Sequence, residues 1–326
     1  MSSQHIPTRT LGKSGIPVSE IGMGLWAAGG DQWGPTDDSE VLSAIDAALD
    51  SGVTFFDTAD AYGGGHSEEL LGWAMQGRRD RFVVGTKIGW LGFDGDAVRT
   101  AYGTVDALIA GVEENLKRLD TDYIDLIQSH IHFREPTMEV FLEGFQRLQR
   151  DGKVRAYGVS TSDLDYFKTF AGDGGCSSLQ VDYSILNRTA EADLLPYCQE
   201  NNIGVIVRGS LAMGILTGKY GPDAQFADGD FRREWTEDPD AKRTFLEDLR
   251  TVEALRPIAG ERSLAQLALQ FVLAHPAVTT VIPGAKKVSQ VQSNVAAATQ
   301  PQLSQAELAR IGEIVPPGGG RKIWPA

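Results

Sequence analysis

The sequence predicts an α/β fold, a (β/α)8 TIM barrel with an N-terminal hairpin and an extra C-terminal helix, and three observations predict it. Short β-branched or aromatic runs alternate with longer segments of helical period, the pattern of a parallel sheet with crossover helices. Eight such runs can be counted, the number a closed barrel needs. No Pro- or Gly-rich linker divides the 326 residues, so one domain over 1–326 is expected, although roughly 150 residues per domain would allow two.

Taken in order, 8–11 and 18–21 flank Gly12-Lys13-Ser14-Gly15 and read as a hairpin placed to plug the barrel floor. Strands are expected at 21–23, 54–56, 82–85, 123–128, 155–159, 179–183, 204–207 and 278–282. Val41, Leu42, Ile45, Ala48 and Leu49 share one helical face after a cap expected at Thr36. Val105, Leu108, Ile109, Val112, Leu116 and Leu119 form a second such face. Pro136 and Thr137 are expected to open a helix through Val140, Phe141, Phe145 and Leu148 that stops at Asp151-Gly152. Two segments exceed ordinary connection lengths, 88–103 and the polar stretch 219–241 with Asp228, Asp230, Arg232, Arg233 and Glu234, and such segments in a barrel serve as functional loops. After the last strand, 304–314 reads as the extra helix, and the tail ending in Trp324 is expected over the mouth.

Apolar residues make up 42% and charged residues 23%, a globular mixture rather than a disordered one. Acidic side chains outnumber basic ones 44 to 30, for a formal charge of −14, which repels a phosphate backbone and disfavours nucleic acid as a partner. The opening residues carry no export or myristoylation signal, and no run approaches the roughly 20 apolar residues a bilayer requires. Cys176 and Cys198 suit neither a disulfide framework nor a metal clamp, so a cytoplasmic protein with reduced thiols is expected.

Catalytic groups in this architecture gather at the carboxyl ends of the strands. The polar or aromatic residues found there, in order, are Trp26, Asp57, Lys87, His130, Ser160, Gln180 with Tyr183, Arg208, and Gly284 with Lys286, while Tyr62 follows Asp57 on the same loop. An acid, a lysine, a tyrosine and a histidine at one mouth suit a proton transfer at a carbonyl oxygen. The Lys87 ammonium is expected to lower the pKa of Tyr62 from near 10, with Asp57 keeping the lysine charged and His130 orienting the carbonyl or passing the proton. The bland alternatives are a structural Asp57–Lys87 ion pair and a histidine satisfied inside the barrel. Metal-assisted hydrolysis through His130-x-His132 with Asp57 and Asp60 is the rival chemistry, and no metal is expected because the chain has only five histidines, His5, His66 and His275 lying elsewhere.

Phe56-Asp57-Thr58-Ala59-Asp60-Ala61-Tyr62-Gly63, continuing through Gly65, Ser67, Glu68, Leu71 and Gly72, resembles the first signature of the aldo-keto reductase family. Lys87 after Val83-Val84-Gly85-Thr86, His130 after Asp125-Leu126-Ile127-Gln128, and Gly158-Val159-Ser160 are similar to its later blocks, in the same order. The resemblance implies a catalytic tetrad of Asp57, Tyr62, Lys87 and His130, with Tyr62 as general acid in reduction of an aldehyde or ketone by NADPH, or by NADH. It implies that Trp26, Ser160, Gln180 and Arg208 surround the nicotinamide. Leu211, Ala212 and Gly214 would pass the pyrophosphate, and Gly284, Lys286, Gln290 and Asn294 would form the adenosine end, where a lysine at a helix start offers charge and free amides. No Gly-x-Gly-x-x-Gly follows a strand here, in keeping with that family's binding mode.

Three positions depart from the family pattern: Thr161 in place of an asparagine, Arg208 in place of an aromatic, and Ser210 in place of a proline. Trp33, Trp90, Leu91, Phe93, Trp235 and Trp324 stand on segments able to wall the mouth, and Arg134 and Arg208 suit anionic or polyhydroxylated substrates. Sugar aldehydes, small carbonyl metabolites and pyridoxal-like compounds all stay open, as does oligomeric state. The family also implies a second role, a cofactor-sensing subunit of a larger assembly with little turnover.

Overall fold

The computed structural model describes residues 6–322 apart from 91–92, 95–96, 99–101 and 131–137. Eight parallel strands form its main sheet, in the order Met23–Gly24, Phe55–Asp57, Val83–Ile88, Ile124–Ser129, Val154–Ser160, Ser178–Asp182, Gly204–Arg208 and Val278–Val281. Bridges Ile21 to Val281 and Gly24 to Gly284 join first strand to last, so the sheet closes into a barrel. The seam is tight enough to require glycine, since a Cβ on Gly24 would lie 2.6 Å from the Ile282 carbonyl oxygen.

All eight strand expectations hold within a few residues, because buried parallel strands read as short apolar runs. The strands Thr8–Thr10 and Pro17–Ser19 pair antiparallel as the hairpin. Its Leu11, Ile16 and Val18 pack with Phe55, Leu126, Ala156 and Ile206 from the barrel interior, closing the floor. The opposite end is therefore the open one, and there the register sets Lys87 beside Gln128, Ser160 beside Gln180 and Asp182 beside Arg208.

Helices differ from expectation in two places. The cap of Asp38–Asp50 is Asp37, whose carboxylate accepts the Glu40 amide, and Thr36 lies one residue outside it. The polar stretch expected to run to 241 ends earlier, because Asp238 caps a helix with proline in its first turn, Pro239–Ala259. This second extra helix packs against the C-terminal one, Gln305–Ile314, which Ser304 and Glu307 open with a capping box. Val105–Arg118 forms as expected after a Thr104 cap, and Met138–Arg150 carries the next apolar face; Pro136 and Thr137 lie outside the described residues. No helix among the described residues is long and apolar enough to cross a membrane.

Candidate active site

At the open end a cavity of about 510 Å³ is lined by Asp57, Tyr62, His130, Ser160, Gln180 and Arg208, among others. Asp57 closes its strand, and Tyr62 is brought back over it by a turn through Gly63 and Gly64, both at φ 62°. That turn presses on the loop after the first strand so closely that a Cβ on Gly63 would meet the Gly29 carbonyl oxygen at 2.3 Å. The tyrosine is thereby fixed from both sides, with Trp26 stacked on its ring at 6.0 Å.

Lys87 lies beneath, 1% exposed. Its Nζ donates to Asp57 Oδ1 at 2.5 Å, to the Thr58 carbonyl at 3.0 Å and to Tyr62 Oη at 3.2 Å. Three donors thus meet three acceptors, which satisfies a buried ammonium. The other carboxylate oxygen of Asp57 accepts from Gln180 Nε2 at 2.8 Å and from Gln128 Nε2 at 3.4 Å. Burial opposes the charge on Lys87, yet Asp57 and Tyr62 outweigh it and hold the pKa above the ordinary lysine value. Tyr62 departs from expectation in sign. Burial raises its pKa, and Lys87 only moderates that rise, so the hydroxyl stays loaded with its proton at neutral pH. His130 stands edge-on to Tyr62 at 5.5 Å between ring centroids, and burial pulls its pKa below the ordinary value.

Of the residues expected at a cofactor, Trp26, Ser160, Gln180, Arg208, Leu211, Gly214, Gly284, Lys286, Gln290 and Asn294 all line the cavity. Gln180 does so with its amide donor already on Asp57. Ala212 is buried and does not line the cavity, and its amide and that of Gly214 close the turn on Gly209 and Leu211 carbonyls. Gln290 Oε1 accepts the amides of Lys286 and Lys287 at the helix start. Lys286 Nζ donates to the carbonyls of Trp33 and Pro35 at 3.1 and 3.3 Å, and burial lowers its pKa, with Arg232 nearby as a second cation. Thr161 is withdrawn from the cavity, its hydroxyl accepting the Asp163 amide at 3.0 Å. Trp33 and Trp90 do line it, whereas Trp235 packs on Phe226, Phe231 and Phe245. Leu91, His132, Arg134 and Trp324 lie outside the described residues.

Several residues around the site have no individual role that the sequence assigns. Gln128 was visible only as the last polar residue of a strand, and Arg232 only as one charge in a polar stretch; the latter lies against Trp33 at 4.7 Å and bonds Asp230 and Tyr220. Glu68 is fully buried under the site, accepting from Thr86 Oγ1, Asn115 Nδ2 and Arg118 Nε at 2.5, 3.0 and 2.7 Å. Burial pushes its carboxyl from the ordinary 4.5 up to about 7, against the pull of Arg118. The stability this proton contributes is complete below 4.5 and lost as pH rises through about 7. Glu68→Gln keeps the shape and removes the titration. Thermal unfolding is expected to show the variant gaining on the parent by several degrees between pH 5 and 8, from roughly 3 kcal/mol of linkage; a pH-independent difference would contradict the assignment.

The description "Aldo/keto reductase family" belongs to the family model that matches residues 20–316. The chain is 36% identical to the aldo-keto reductase YhdN of Bacillus subtilis over 87% of its length and 86% of that protein's. Among solved structures, the glycerol dehydrogenase AKR11B4 from Gluconobacter oxydans superposes with a TM-score of 0.82 at 31% identity, covering 100% of this chain and 99% of that one. An aldo/keto reductase from Klebsiella pneumoniae in complex with NADP and acetate gives 0.70 at 29% identity, over 95% of each chain.

Proposed function

The chain belongs to the aldo/keto reductase family, and from that premise we propose that it reduces an aldehyde or ketone to the alcohol with NADPH, Tyr62 giving the proton. One observation carries this: a tyrosine hydroxyl on the cavity wall hydrogen-bonded to a buried ammonium, itself paired to a carboxylate.

The residues at hand fit a pyridine dinucleotide. Lys286 and Arg232 supply cationic charge at one end for phosphate, and Trp26, Ser160 and Gln180 offer a flat face and amide-pairing groups at the other. Trp33 Nε1 is a buried donor on this wall with no partner among the described residues, as a site built for a polar ligand leaves it. When bound, the cofactor supplies the hydride. The chain's own groups supply the rest. The Tyr62 hydroxyl donates to the carbonyl oxygen as negative charge develops there, and Lys87 stabilises the phenolate left behind. Asp57, held by Gln180 and Gln128, keeps that ammonium in place.

Trp26, Trp33 and Trp90 make the cavity aromatic, while Arg208 and Ser160 add polar contacts, which supports a small polar carbonyl such as a sugar aldehyde. A coupled absorbance screen of aldehydes and sugars, run in both directions with NADPH and NADH, tests the proposal. Turnover of at least one carbonyl is expected; tight binding of either nucleotide with no turnover would favour the sensing role instead. Lys286→Ala is expected to weaken NADPH by about tenfold, or ~1.4 kcal/mol, and NADH much less, as equilibrium titration reads it. Equal losses would mean that Lys286 does not recognise the ribose phosphate that NADPH alone carries.

A further inference from the structure

Resting on the carbonyl chemistry proposed above, a further relation concerns His130 and an acid the tetrad does not include. Asp60 Oδ1 lies 4.0 Å from His130 Nδ1. Both atoms are buried, and neither has a hydrogen-bond partner among the described residues. Each group is otherwise held in place. The Asp60 amide donates to the Lys87 carbonyl at 3.1 Å and its Oδ2 accepts the Gly89 amide at 3.3 Å, which leaves Oδ1 turned to the ring. The His130 amide donates to the Ile88 carbonyl at 3.0 Å, and its ring is wedged edge-on between Tyr62 and Trp90 at 5.5 and 5.1 Å.

A carboxylate oxygen can only accept, so the one state of the ring that answers it carries hydrogen on Nδ1. Neutral imidazole has a single N–H, and placing it there leaves Nε2 bare. We propose that Asp60 is a positioning residue that fixes His130 as the Nδ1–H tautomer, so the ring meets the substrate oxygen as an acceptor when neutral and as a donor only when protonated. A protonated His130 adds a second donor to the carbonyl oxygen beside Tyr62, whereas the bare Nε2 of the neutral ring gives that oxygen no hydrogen bond. Carbonyl reduction is therefore favoured by acid. Lys87 faces the ring and opposes its protonation, while Asp57 and Asp60 favour it; Glu68 and Tyr102 are the titratable groups that Asp60 itself influences. Because burial sets His130 below the ordinary 6.5, the change of role falls on the acid side of neutrality.

Asp60→Asn makes a sharp test. The Gly89 amide still needs an acceptor, so the Asn oxygen takes that place and the NH2 group faces Nδ1, where it demands a lone pair and moves the ring hydrogen to Nε2. This is the consequence seen when the triad carboxylate of a serine protease becomes an amide. Nitrogen NMR of histidine-labelled, cofactor-free protein at alkaline pH is expected to find His130 protonated on Nδ1 in the parent and on Nε2 in the variant, the signal being assigned by its loss in His130→Asn. Asp60→Glu is expected to return the hydrogen to Nδ1. In turnover, the variant is expected to lose the decline of carbonyl reduction as pH rises through the His130 titration. A parent protein carrying the hydrogen on Nε2, or a variant with unchanged tautomer and pH profile, overturns the proposal. The NMR needs no turnover, so a protein inactive on every carbonyl fails the functional reading without touching this one.

Discussion

Tyr62→Phe is expected to lower turnover by about 10²- to 10⁴-fold, the range that a positioned general acid contributes, while NADPH affinity stays close to that of the parent. Phenylalanine fills the same volume between Trp26 and His130, so the cavity keeps its shape. Lys87 keeps Asp57 and the Thr58 carbonyl as acceptors, and the ion pair is preserved. Only the transferable hydrogen is removed. Steady-state kinetics with a titration of NADPH fluorescence separates the two quantities, and loss of cofactor binding together with turnover would mean the ring matters for shape instead.

Asp57→Ala is the variant expected to harm both stability and chemistry. It leaves a 1% exposed ammonium without its counter-ion and takes the acceptor away from Gln180 and Gln128. Breaking a buried pair on one side costs about 3–5 kcal/mol, which corresponds to a fall on the order of 10 °C in Tm. A second substitution separates the two effects. Lys87→Met added to Asp57→Leu removes both charges and is expected to restore most of the lost stability, because apolar side chains of similar size replace a buried ion pair well. Activity is expected to stay abolished in that double variant. Calorimetry on the three proteins checks the first point, and recovery of turnover with recovery of Tm would show that the pair serves folding alone.

Much of this site was readable because its strongest elements are local. Asp57, Thr58 and Tyr62 occupy one strand end and the turn after it, so their spacing alone brings them together. Lys87 came through because strand ends share one rim. What stayed hidden depends on distance in sequence. Asp60 sits inside the same motif, yet its partner His130 comes from a strand two places along the sheet, and nothing in either residue announces the other. Gln180 was expected to hold an amide of the ligand, but its contact with Asp57 follows from packing across the barrel interior. The sign of the Tyr62 shift was misread for a related reason. The charge of Lys87 can be seen in sequence, whereas complete burial cannot, and burial is the larger effect. The helix Pro239–Ala259 was a different omission, because Asp238 followed by Pro239 is a legible start that the surrounding charges obscured.

Single-turnover oxidation of bound NADPH by a saturating carbonyl, followed for the parent and for Tyr62→Phe in the same stopped-flow experiment, is the most direct test that the Tyr62 hydroxyl is the proton source. The expected result is a fast absorbance decay in the parent and one slower by at least about 10²-fold in the variant, with equal amounts of NADPH bound at the start. Equal decay rates would place the proton donor elsewhere and contradict the account.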